Sequence, residues 1–326
     1  MKGILPKIAS IALVLALLVA VVGCGGGGGG GNQTGGNQTG GNQTGGNQTG
    51  GNQTVVLKLA TTTSLRDTGL WDYLETIFEE RYHADLQITA VGTGNALNLG
   101  KTGDVDVVAV HDPAQEAAFI AGNYSLNATV NNTSAARVTW AYNYFIIVGP
   151  ASDPAGISGG NATAAFRKIQ QEGRAHPQTV EFVGRGDNSG TQGKEKALWA
   201  AAGVKNYTAE IEGNGTAEGW YFETGQGMGA TLTVANQKLA YTLTDKGTYL
   251  AYKSKLDLVP LVDTGGDLIN IYCVMICKNG VQPSMAQNLV TFLRSPDIQA
   301  LVAGFGVPQY GQPLFYPWDP KICGVP

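Results

Sequence analysis

The order strand, hydroxyl- or glycine-rich turn, helix recurs along this chain and restricts its fold more than any other feature. VVLKLATTTS (Val55–Ser64) reads as a buried strand ending in a hydroxyl-rich turn, and the run after it sets Leu70, Leu74, Ile77 and Phe78 at helical spacing. LQITAVGTG is a second strand, closing in glycines before the short helix NALNLGKTG; DVDVVAVHD is a third, before the helix PAQEAAFIAGNY. This alternation predicts a parallel sheet with helices on its faces. After the strand WAYNYFIIVGP, closed by Pro150 and Pro154, the pattern restarts with a helix near ATAAFRKIQQEG, the strand TVEFVGR and the stretch RGDNSGT (Arg185–Thr191) ahead of a helix. Then come GWYFETGQGMGATLTVANQK and LAYTLTDKGTYLAYK, the apolar strand INIYCVMIC, and PSMAQNLVTFLRSPDIQALVAGFG as one long C-terminal helix. Two α/β lobes are expected, with the chain crossing between them near Tyr142–Phe145 and near Tyr241–Asp245.

The first 54 residues read differently. Lys2 and Lys7 flank a start that runs into IASIALVLALLVAVVG, and Cys24 follows directly, so residues 1–24 are expected to be a secretory signal. Val21–Cys24 resembles a lipobox, which makes Cys24 the candidate lipid-bearing residue; an uncleaved membrane helix is the alternative. Residues 25–54 are a glycine run and GGNQT repeats with nothing apolar to bury, hence a flexible linker. Each repeat spells Asn-x-Thr, at Asn32, Asn37, Asn42, Asn47 and Asn52, which makes these asparagines glycosylation candidates; a merely polar linker is the other reading. Asn127, Asn161, Asn206 and Asn214 are candidates in the body, where Asn123 and Asn132 also head sequons.

The net charge of −4 provides no basic stripe to meet phosphates, which argues against nucleic acid as a partner. Beyond Cys24 the only cysteines are Cys273, Cys277 and Cys323. In an oxidising place three cysteines allow one disulfide, expected to tie Cys323 to Cys273 or Cys277.

Three loops share one design: Thr61–Ser64, Gly92–Gly94 and Arg185–Thr191 each place Ser, Thr or Gly between a strand end and a helix start. Ligands of open α/β sheets bind outside the carboxyl ends of strands, and helix N-termini there suit anions. Arg185 adds a permanent cation able to donate two parallel bonds to an oxyanion. Taken singly, each loop is also explained by ordinary helix capping, and Arg185 with Asp187 by a local salt bridge. Together the three point to an oxyanion site.

Gly225–Ala230, GQGMGA, is a fourth glycine loop, but its Gly-x-Gly-x-Gly is not dinucleotide-binding spacing, and Gly92–Gly94 fails too, since Leu97 stands where a third glycine belongs. Ser189 has Asp187 two places before it, so no hydrolase elbow is present. His83, His111 and His176 are scattered and read as surface or packing residues. With no acid–base pair, neither an enzyme nor a cofactor is expected.

ATTTS at Ala60–Ser64, AVGTGNAL at Ala90–Leu97, DVDVVAVHDP at Asp104–Pro113, RGDNSGT, ETGQGMGATL at Glu223–Leu232 and YTLTDKGTYL at Tyr241–Leu250 together resemble the TupA-type tungstate-binding proteins. Those are extracytoplasmic receptors of tungstate ABC importers. The resemblance covers most of Val55–Gly306. It implies a two-lobed type II periplasmic-binding fold, each lobe a mixed sheet flanked by helices, closing on a ligand in the cleft between them. The lobes would be residues 55–142 with 244–326, and residues 143–243.

The ligand-contacting positions that match are Thr62, Thr63, Thr93, Arg185, Ser189 and Thr191, joined by Gly190 and Gly227 from the same loops. The implied ligand is tungstate, or molybdate; the implied partner is an ABC permease, served by a monomer held outside the cell membrane by its N-terminus. A receptor for phosphate or another oxyanion, or a glycosylated surface adhesion protein, are the alternatives. The NQT repeats, extra sequons and cysteine-bearing tail depart from the usual bacterial pattern. Tungstate is a dianion with acceptor oxygens only, so Asp187 is expected to brace Arg185 or cap backbone N–H groups, not to face the ligand.

Overall fold

The structure, a computed structural model, describes residues 54–324. The signal segment with Cys24, and the linker with Asn32, Asn37, Asn42, Asn47 and Asn52, lie outside the described residues.

The first half of the fold is built from β1 (Val55–Thr62), α1 (Thr63–Asp67), α2 (Leu70–Tyr82), β2 (Ala84–Val91), α3 (Thr93–Thr102), β3 (Val107–Val110) and α4 (Pro113–Ala121). Short strands β4 (Ser125–Leu126), β5 (Ala128–Val130) and β6 (Thr133–Ala135) lead to the twelve-residue β7 (Val138–Gly149). Next come α5 (Ala162–Ala175), β8 (Phe182–Gly184), α6 (Gly190–Ala201), a π-helical turn at Thr208–Gly213, α7 (Asn214–Glu218), β9 (Tyr221–Glu223) and α8 (Met228–Lys238). The chain then forms β10 (Thr242–Asp245), α9 (Lys246–Tyr252), β11 (Val259–Val262) and β12 (Ile269–Cys277). It closes with α10 (Pro283–Arg294), α11 (Pro296–Gly304), α12 (Val307–Tyr310), β13 (Tyr316–Pro317) and α13 (Pro320–Cys323).

β1 pairs in parallel with β2 and β3, so the loops after all three strands emerge at one sheet edge. The parallel pairing expected from the alternation holds for β1, β2 and β3 but does not extend further: β12 runs antiparallel to β3 and to β7, so the sheet is mixed, as the resemblance implies. The reason lies in β7, which is long enough to serve two neighbours. Its first part, through Tyr144, pairs with β12; Phe145–Val148 pairs with β10, and β11 joins beside it. β8 and β9 pair in parallel, with a bridge from Phe182 to Tyr241, so the loops after β8 and β9 also leave at a common end.

Side-chain alternation sorts these strands into cores. On β12, Val274 and Ile276 join a cluster with Leu57, Leu59, Trp71, Trp140 and Phe292, while Cys273, Met275 and Cys277 face a second cluster with Val108, Val110 and Phe119. Such strands are buried on both faces and carry the near-continuous apolar runs seen in the sequence. A third cluster, around Phe145, Ile147, Phe166, Phe182, Trp199 and Trp220, packs the other half; Phe166 and Trp199 meet edge-on at 4.4 Å.

Two further expectations are corrected. The C-terminal helix is two helices, because Ser295 before Pro296 adopts ψ 144°, the extended conformation that proline imposes on its predecessor. Cys273, Cys277 and Cys323 are all free and buried. Cys273 is fully buried beside the Glu116 carboxyl, and Cys277 packs close against Gly100. Burial pushes the Cys277 thiol up to about 12, leaving it protonated and unreactive. The body sequon asparagines Asn123, Asn127, Asn132, Asn161, Asn206 and Asn214 are all exposed.

Candidate functional site

The hydroxyl-rich turn after β1 divides its labour. Thr61 is structural: its hydroxyl donates to Ala109 O at 3.0 Å and accepts from Trp71 Nε1 at 3.1 Å. Thr62 stands at the N-cap of α1 yet makes no capping hydrogen bond with its side chain. Thr63 Oγ1 instead accepts from Arg185 Nη2 at 3.2 Å, across 122 residues of sequence. At α3 the N-cap is Gly92, which has no side chain to cap with, and Thr93 opens the helix with a fully buried hydroxyl that has no partner.

The loop after β8 is more elaborate. Gly186 takes φ +65°, and a Cβ there would lie 2.7 Å from Glu223, so glycine is required on both counts. Asn188 also takes a positive φ, 56°. Ser189 caps α6 conventionally, its hydroxyl accepting from Gln192 N at 3.3 Å. Thr191, in the first turn, is buried with its Oγ1 unpartnered. Gln192 holds the loop from behind: its Oε1 accepts from Asn188 N at 2.5 Å, and its Nε2 donates to Glu223 at 3.3 Å.

Arg185 is 1% exposed. Nε donates to Gln226 O at 3.3 Å, Nη2 to Asp187 Oδ2 at 2.5 Å, and Nη1 is buried with no partner. Asp187 Oδ1 accepts from Ser189 N at 3.2 Å. Asp187 therefore turns to Arg185 and to the backbone, as expected from the sequence. The loops meet: Gly94 N donates to Asn188 O at 3.3 Å, and a Cβ on Gly227, the N-cap of α8, would sit 3.6 Å from Thr63 Oγ1. Four strand-to-helix loops thus converge, and the structure brings Thr62, Thr63, Thr93, Arg185, Ser189, Gly190, Thr191 and Gly227 to one region.

Of the three histidines, His111 is the packing residue, its ring against Tyr272 and Phe145. His111 ends the run after β3 and is 3% exposed, its ring against Ser64, Asn270 and Gly190. The available signal was positional: a lone histidine directly after an apolar strand, at the edge where the other loops emerge. Burial, with Arg185 and Lys194 nearby, lowers its pKa to about 4, so the ring is neutral at pH 7. His83 and His176 are exposed.

The donor set is one-sided. Thr93 Oγ1, Thr191 Oγ1 and Arg185 Nη1 can all donate, and the starts of α3, α6 and α8 each carry about half a positive charge. The Arg185 charge is partly matched by Asp187, so those helix ends have to supply much of the field for a multiply charged anion. Buried Asp245 has its pKa raised by desolvation, with Arg185 opposing, and caps α9 through Thr248 instead of entering the donor set.

The profile of the PBP superfamily domain matches residues 35–297. The tungstate-binding protein TupA of Peptoclostridium acidaminophilum is 37% identical over 79% of this chain and 84% of its own length. Two solved structures cover nearly all of their own chains. The tungstate-binding protein TupA of Desulfovibrio alaskensis is 38% identical, with TM-score 0.63, over 81% of this chain and 99% of that one. The tungstate ABC transporter structure from Geobacter sulfurreducens is 39% identical, with TM-score 0.63, over 77% and 98%.

Proposed function

Because this chain belongs to the PBP superfamily, in the family of TupA-type solute-binding proteins, we propose that it captures tungstate and hands it to the permease of an ABC importer. The observation that carries this reading is the trio of buried, unpartnered donors at converging loops: Thr93 Oγ1, Thr191 Oγ1 and Arg185 Nη1. Buried polar groups are nearly always hydrogen-bonded, and three groups that can each donate, one of them a donor-only guanidinium, suit a ligand made of acceptors. Tungstate at neutral pH is such a ligand. Thr62, Thr63, Ser189, Gly190 and Gly227 complete the wall around it.

The two lobes assigned from sequence, residues 55–142 with 244–326 and residues 143–243, would part to admit the anion and close to exclude water. In a closed site each charge-assisted hydrogen bond gains strength because water no longer competes. Molybdate, of the same shape and charge, would occupy the same donors. The chain would act as a monomer outside the cell, tethered through a lipid on Cys24, with sugars on the exposed sequons. A flexible linker would keep the receptor concentrated near its permease without fixing its orientation. Thermal unfolding of residues 55–326 with tungstate, molybdate, sulfate and phosphate tests the reading. A rise in Tm with micromolar tungstate supports it, and no shift with any oxyanion refutes it.

A further inference from the structure

His111 lies where three parts of the fold meet. Its Nδ1 is 2.9 Å from Asn270 Oδ1 on β12, its Nε2 is 3.4 Å from Ser64 Oγ in α1, and a Cβ on Gly190 of α6 would come within 2.7 Å of the ring. The hydrogen bonds of Asn270 determine the ring's tautomer. Asn270 Nδ2 spends its two hydrogens on Asn143 Oδ1, at 2.9 Å, and on the Tyr272 hydroxyl, at 2.8 Å. Its Oδ1 is then an acceptor, so His111 Nδ1 carries the ring proton. Nε2 is left with a lone pair and accepts from the Ser64 hydroxyl, whose oxygen lies 3.4 Å from Thr62 Oγ1. The remaining neighbours leave the ring neutral: Tyr272 and Phe145 pack against it, Arg185 and Lys194 oppose a positive charge, and Asp112 only partly offsets them.

We propose that His111 is a positioning residue for oxyanion binding: a neutral ring, locked by Asn270, that holds the Ser64 hydroxyl in the turn after β1 and forms the seat for Gly190 at the start of α6. The inference rests on the oxyanion reading of the site. The ring never touches the anion. It sets the direction of the Thr62–Ser64 hydroxyl pair and couples that turn to β12 and, through Asn143, to β7, the strand shared by both halves of the fold.

Two near-isosteric variants separate the ring's two bonds. His111→Gln can keep an acceptor where Nε2 stood, facing Ser64; His111→Asn can keep a donor where Nδ1 stood, facing Asn270. Tungstate affinity is measured by calorimetry for both. The expected result is His111→Gln within about threefold of the parent and His111→Asn weakened about tenfold, one lost hydrogen bond's worth plus loosened positioning. Equal affinities for the two variants, or an unweakened His111→Asn, overturn the proposal. In the unsubstituted protein, 15N NMR of His111 is expected to show Nε2 unprotonated, with a shift when tungstate is added. A protonated Nε2 refutes the tautomer even if the variants fail to fold. If the unsubstituted protein binds no oxyanion, the site reading itself falls, an outcome distinct from normal binding with insensitive variants.

Discussion

Replacing Thr93 with valine separates a ligand donor from a structural cap. The Thr93 hydroxyl is fully buried and has no hydrogen-bond partner, and the N-cap beside it is a glycine. An unpartnered buried hydroxyl costs about 1–3 kcal/mol, so its removal by a residue of the same shape should leave the ligand-free protein unharmed or more stable. At about 2–4 °C per kcal/mol for a domain of this size, the ligand-free Tm should hold or rise by a few degrees. The tungstate complex should behave oppositely. Loss of one hydrogen bond to a charged group removes about 1.5–3 kcal/mol, or roughly 10- to 150-fold in Kd. Scanning fluorimetry with and without tungstate, backed by calorimetry, reads both quantities on one sample. A ligand-free Tm that drops by several degrees with unchanged Kd would show that the hydroxyl serves the fold, and would refute the reasoning.

Arg185→Ala should weaken tungstate binding by several kcal/mol, near the upper end for a charge-assisted contact, because Asp187 is then left without its partner; calorimetry checks this. Gly190→Ala should abolish tight binding while leaving the secondary structure intact by circular dichroism, since the added methyl meets the His111 ring at 2.7 Å. Glu195, buried among Trp199, Tyr207 and Tyr221, has its pKa pushed up to about 7, chiefly by desolvation. A raised acid pKa stabilises the fold below its unfolded value, near 4.5, and that contribution is lost as pH rises through about 7. His111, lowered to about 4, works in the opposite sense and costs stability as pH falls from 6.5. Glu195→Gln should therefore remove a loss on the order of 3 kcal/mol between pH 5 and 8, seen as a flatter dependence of urea midpoint on pH; an unchanged slope would place the titration elsewhere.

Much of the fold could be read from local pattern. β1, β2 and β3, and the helices after them, announce themselves through buried runs, hydroxyl or glycine turns, and helical spacing at Leu70, Leu74 and Phe78. What local pattern cannot encode is pairing. β7 looks like one apolar strand, and nothing in WAYNYFIIVGP says that Tyr144 has β12 as neighbour while Phe145 has β10. The alternation alone showed only the parallel pairs; the mixed sheet, in which β12 runs antiparallel, came with the family resemblance. Pro296 did carry a visible break signal, outweighed by the apolar spacing on either side of it. The site loops were legible because strand ends, glycines and hydroxyls coincide at Thr62–Thr63, Thr93 and Arg185–Thr191. The role proposed for His111 was not legible, because it depends on Asn270 and Ser64, 159 and 47 residues away in the chain. The free thiols were missed because cysteine counting knows nothing of which interior each sulfur is buried in.

The central claim is that an oxyanion sits among Thr93, Thr191 and Arg185. An anomalous difference map at the tungsten edge, from crystals of residues 55–326 grown with tungstate, tests it most directly. One peak should lie within hydrogen-bonding range, through its oxygens, of Arg185 Nη1, Thr93 Oγ1 and Thr191 Oγ1, with Asp187 still turned to Arg185. A peak elsewhere, or an oxygen of the ion bonded to the Asp187 carboxylate, would contradict the account.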